Sequence, residues 1–187
     1  YQVLPADERA QDIYLYFVMY PFRELHIEDM FRMGKENLKD KERFWEDWIA
    51  LLQTKKGNVE GRLLKEAVLQ YEGVEGLVKT ADKNCAIHPS LYLAAMEEYE
   101  KKQDYERMEQ IGERALEKVE VKLSVRGEIA LRAAYASSCL RKTENMMRFC
   151  FEGFRSDTTE RNFLRLFGMK EMAQKYGVRG TEVLRDA

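Results

Sequence analysis

From residue 40 onward the apolar positions fall three and four apart, the spacing that keeps one stripe of an α-helix facing a core. Phe44, Trp45, Trp48, Ile49, Leu51 and Leu52 form the first such face, and "KKGN" at residues 55 to 58 ends it. Val59, Leu63, Leu64, Ala67, Val68 and Tyr71 form the next. A shorter helix from Val74 to Lys83 carries Leu77, Val78 and Ala81, and the glycines of "YEGVEG" loosen the joint before it. "NCAIHP" then interrupts the pattern. Helices are predicted over 89–102, 104–119, about 123–140 and 142–155, with short pieces from 158 closing the chain.

Before residue 40 the pattern is less regular. Asp7 to Tyr20 reads as a first helix, with Glu8 in its opening turn, although its aromatic, β-rich centre also suits a strand. Phe22 to Lys35 reads as a second, with Leu25, Asp29, Met30 and Met33 at helical intervals. Pro5, Pro21 and Pro89 each stand where a helix can begin, because a first-turn N–H has no intrahelical partner to lose. The sequence shows no strand-turn-strand signal and no low-complexity tract. The pattern predicts an all-α chain.

The best-formed stretch repeats. Shifting the chain by 38 residues sets Met108 over Met146, Leu93 over Leu131, Ala95 over Ala133, Ala115 over Gly153 and Leu116 over Phe154. Small residues fall where two helices of a hairpin cross closely, and large ones where the seam must be filled. A looser third unit runs from Phe44 to Tyr71. Such self-similarity is the mark of stacked helical hairpins.

Residues 89–119 resemble a tetratricopeptide (TPR) repeat. Tyr92, Tyr99, Tyr105, Ala115 and Leu116 stand where that family places its aromatic, alanine and leucine packing residues, and Asp104 stands at its polar turn. Met96, Met108 and Gly112 depart from the family pattern, and Glu120 replaces the closing proline. The resemblance implies a right-handed array of antiparallel helical hairpins, a TPR-like α-solenoid. On it, 1–187 is a single helical domain: N-terminal helices in 1–38, degenerate hairpins in 40–84, two TPR-like hairpins in 88–155 and capping helices in 156–187. It also implies a concave groove lined by Leu93, Glu97 and Glu100 from one hairpin and by Leu131 and Tyr135 from the next. Leu93 and Glu97 replace the basic residues with which some TPR domains hold a carboxylate, so a basic or amphipathic partner segment is the expected occupant. A second resemblance links "HPSLY", "EIALRAAYASS" and "FEGFRSDTTERNFLRLF" to the helical tails that follow SWIM-type zinc fingers in some bacterial proteins, without the metal-binding motif itself.

Composition narrows the function classes. Hydrophobic residues make up 45% of the 187 and charged residues 34%, which suits a folded soluble chain and not a disordered one. The 31 basic and 33 acidic side chains leave a net charge of -2, without the basic excess that nucleic-acid binding favours. The longest apolar run, Ile13 to Phe22, is half the roughly 20 residues of a membrane-spanning helix. Cys85, Cys139 and Cys150 form no CxxC pair, which points to a reducing cytoplasm. The start at Tyr1 suggests an excerpt or a trimmed terminus.

Candidate chemistry is sparse. His26 and His88 belong to no HExxH or Glu-x-x-His arrangement, and Cys85 with His88 has chelating spacing but no second pair, so no metal and no cofactor are expected. "GVEG" at 73 to 76 fits neither dinucleotide nor phosphate loop. Cys139 and Cys150 read as core packing, since free cysteine is among the most buried residue types. The expectation is a non-enzymatic, cytoplasmic scaffold that binds a protein or peptide segment, with no membrane partner and exposed aromatics that also suit a homo-oligomer. Two other readings stay open: the tail of a nucleic-acid-associated SWIM protein, with Lys35, Lys39, Lys41, Arg43, Lys55 and Lys56 on one face, and a helical enzyme with a hidden cleft.

Overall fold

In a computed structural model of the chain, residues 4–33 and 38–165 are described; every regular element among them is helical, and none is a strand. Backbone contacts divide the chain into two units, Tyr1–Thr80 and Ala81–Ala187.

The first unit contains α1 (Ala6–Val18), a 3-10 turn (Phe22–Glu24), α2 (Ile27–Met33), α3 (Lys41–Gln53) and α4 (Asn58–Tyr71). The ambiguous first segment is a helix because its buried residues, Arg9, Ala10, Ile13 and Phe17, recur at helical and not alternating spacing. That stripe packs on α3, which presents Phe44, Trp45, Trp48, Ile49 and Leu52. Trp48 stacks on Phe44 at 5.8 Å between ring centres and lies 5.9 Å from Phe17. Phe31 of α2 meets Phe44 and Trp45 edge-on at 5.7 and 5.4 Å. Arg9, itself buried, donates to both carboxylate oxygens of Asp40 at 2.7 and 2.8 Å and so anchors α1 to the start of α3.

The single helix expected over Phe22 to Lys35 does not form. The chain makes one 3-10 turn, extends at Leu25 and restarts at Ile27. The restart has a local cause: the His26 N–H donates to the Asp29 side chain at 3.1 Å, a bond that stabilises a new helix end. Lys35 lies outside the described residues.

α5 (Gly73–Lys83) runs across the division between the units. Gly73, its first residue, takes φ +73, a conformation that glycine enters without strain, and this is the joint that "YEGVEG" marks.

The second unit holds α6 (Ser90–Lys101), α7 (Tyr105–Lys118), α8 (Ser124–Cys139) and α9 (Thr143–Ser156), followed by helical residues at 160–165. Each packs against the next, and α6 also touches α8. The 38-residue shift carries Tyr105–Lys118 onto Thr143–Ser156 end for end. It also superposes the turns. Gln103 and Arg141 both take positive φ, at 56 and 59°, which is uncommon outside glycine. The Asp104 N–H reaches the Tyr99 carbonyl at 2.9 Å, and the Lys142 N–H reaches the Ser137 carbonyl at 2.9 Å. The looser unit at Phe44 to Tyr71 turns differently, through Gly57 at φ +148.

Small residues set the close crossings. A Cβ at Gly112 of α7 would overlap the Cβ of Ala133 of α8, and one at Gly153 of α9 would stand 2.9 Å from the Leu131 side chain.

Candidate partner-binding face of α6 and α8

Leu93, Glu97 and Glu100 are spaced four and three apart along α6, so they share one face, and all three are half-buried. Arg132 of α8 reaches across to that face. Its guanidinium donates to Glu100 at 3.0 Å and to Glu97 at 3.2 Å. Tyr135, three residues further along α8, is 47% exposed and meets the ring of Tyr105 edge-on at 6.0 Å. Hydrogen bonding with Tyr105, then with Cys139, pushes the Tyr135 hydroxyl up to about 12, so it is a neutral donor at physiological pH.

Four of the five sequence-derived positions therefore border a single surface, and the fifth is engaged elsewhere. The Leu131 side chain lies over Gly153, where it fills the seam between α8 and α9. The surface is also less acidic than the sequence suggests, because Arg132 neutralises part of its charge. Arg132 stood outside the sequence reading. Its only signal there is a lone cation in the small-residue run "EIALRAAYASS".

Behind this face, buried polar groups fix the helices to one another. Glu109 of α7 accepts from Ser137 at 2.7 Å, from Asn145 at 2.9 Å and from Lys142. Burial alone would raise its carboxyl, but the bonds from Lys142, Asn145 and Ser137 together outweigh burial and hold it below its ordinary 4.5. Asp82 works similarly: Tyr92 donates to it at 2.7 Å, and Arg114 and Lys118 flank it. Arg126, buried under α9, donates to Ser156 at 2.7 Å and lies 2.8 Å from Glu152.

A carboxyl lowered by folding gives stability that is present above its unfolded value, about 4.3, and is lost as pH falls through the folded value. Glu109→Gln should accordingly be about 1–3 kcal/mol less stable than wild type at pH 7. The difference should narrow as pH falls through the folded value, in urea titrations followed by circular dichroism.

Other candidate groups are structural or dispersed. Cys150 is buried, and burial raises its thiol to about 11. Cys139 is exposed, which corrects the expectation that both cysteines pack in the core; it is the last residue of α8. Cys85 is half-buried, and among the described residues no group of three or more His, Cys, Asp or Glu side chains is placed to hold a metal ion. Lys41 stands over the Phe31 ring at 5.0 Å, Lys55 over the Tyr14 ring at 5.3 Å, and Arg43 beside Asp47 at 3.7 Å. No helix among the described residues is long and apolar enough to cross a membrane. Compared with protein-family models, curated proteins and solved structures, the chain matches none.

Proposed function

We propose that the chain is a non-enzymatic, cytoplasmic scaffold whose two hairpins over 88–155 are TPR-like and hold a protein segment across α6 and α8. The repeated turn carries this reading. The matching limits of α7 and α9 and the matching positive-φ residues, each at a 38-residue interval, accompany contact between α6 and α8, the arrangement from which stacked hairpins build a binding face. The chemistry of that face supports an amphipathic partner. Tyr135 offers an exposed aromatic anchor, and Glu97 and Glu100 offer carboxylates that a partner's cation can share with Arg132.

The test is capture of partners on wild-type protein and on a Tyr135→Glu variant, followed by direct titration of the captured partner's purified segment. The substitution places a charge where an aromatic anchor is needed, so affinity should fall at least about tenfold while the unfolding transition is unchanged. Equal affinity of the two proteins would remove α8 from the binding face. Loss of capture on nuclease treatment would replace the protein-binding reading with a nucleic-acid one.

A further inference from the structure

One face of the first unit is apolar. α1, the 3-10 turn and α2 surround a solvent-open cleft of ≈ 230 Å³, lined by Ile13, Phe17, Phe22, Leu25, Met30 and Met33 among others. Tyr16, Phe22 and Met33, which line it, and Met19 and Tyr20, which lie between Tyr16 and Phe22 in the chain, have exposures between 42% and 88%. Tyr20 is the most exposed of these. It is a strongly exposed aromatic side chain two residues from Phe22, which lines the cleft.

The dimensions select the occupant. The cleft exceeds the roughly 150 Å³ that admits a benzene ring, and it falls short of the roughly 300 Å³ at which sites for larger ligands begin. It has room for about one large side chain. The surrounding surface is more extensive than that. At roughly 200 Å² for a residue of this size, the exposed parts of the five side chains come to on the order of 600 Å², approaching the ~800 Å² that each partner gives to a stable interface. Charge does not oppose self-contact, since Arg32, next to Met33, is paired within its own chain with Glu28 at 3.4 Å and Asp29 at 3.9 Å.

A projection and a cavity side by side on one face are self-complementary under a two-fold axis, because each copy then fills the other. We propose that two copies of this chain associate through this face, with Tyr20 of each entering the apolar cleft of the other.

Sedimentation velocity on the full chain tests this between about 1 and 100 μM, where a dimer with a micromolar dissociation constant is half-formed. Wild-type protein should pass from monomer to dimer as concentration rises. Tyr20→Glu should raise the dissociation constant at least about tenfold, and Met33→Glu, which alters the cleft rather than the projection, should do the same. Both residues are exposed, so at concentrations where wild type is monomeric both variants should unfold at the wild-type temperature. A wild-type chain that stays monomeric throughout overturns the proposal, as does a dimer that survives both substitutions. A monomer whose cleft binds the apolar dye anilinonaphthalene sulfonate, and loses it on Met33→Glu, would assign the cleft to a small ligand instead.

Discussion

Trp48→Ala should destabilise the first unit by about 3–5 kcal/mol, the usual range for deleting a buried tryptophan. Trp48 is fully buried between Phe44 and Phe17, and α1, α2 and α3 all converge on the aromatic cluster it completes. The expected result is an earlier unfolding transition in urea, followed by the fluorescence of Trp45, the one tryptophan left in the chain. Trp48→Phe makes an informative contrast. The indole N–H of Trp48 is buried with no acceptor among the described residues. Phenylalanine keeps the stacking and removes that unsatisfied donor, so its penalty should stay below about 1.5 kcal/mol. If the two substitutions cost the same, the ring contact between Phe17 and position 48 is not what holds α1 to α3.

Gly112→Ala should destabilise the second unit by about 1–3 kcal/mol, although alanine is the better helix former by about 1 kcal/mol. The new methyl group overlaps the Cβ of Ala133, which has no rotamer by which to retreat. Relief must therefore come from parting α7 and α8. Adding Ala133→Gly removes the overlap and should recover most of the loss, and a double-mutant cycle on thermal unfolding reads the coupling directly. Gly153→Ala sets the scale. Its Cβ would meet the flexible end of Leu131, so a small rotation accommodates it and the net change should stay within about 0.5 kcal/mol. Additive effects of Gly112→Ala and Ala133→Gly would show that the crossing is looser than the structure has it.

These crossings also show what was legible in the chain. The 38-residue spacing and the small residues at 112, 133 and 153 are readable, because helical period and side-chain volume are local properties. The shared turn geometry was not. Neither Gln103 nor Arg141 is a residue that announces positive φ, and each takes it because the helices on both sides are held by packing. The break at Leu25 escaped for the opposite reason: apolar spacing continues through it, while a single side-chain bond from Asp29 to the His26 N–H restarts the helix.

The candidate site divides in the same way. The i, i+4, i+7 spacing of Leu93, Glu97 and Glu100 already places them on one face, and an exposed Tyr135 follows from helical phase. Arg132 as the bridge to Glu97 and Glu100, the commitment of Leu131 to Gly153, and the exposure of Cys139 all depend on which helix lies opposite. The run from Ile13 to Phe22 shows this most plainly. As sequence it is ten residues with a strong apolar bias; as structure it is a buried stripe through Ile13 and Phe17 and an exposed edge ending at Tyr20. From residue 40 onward the sequence by itself determined the helices, their order and their repeat, since these rest on neighbours within one or two turns. Tertiary structure decided which apolar groups find a partner and which remain for another molecule, because burial depends on residues far away in the chain.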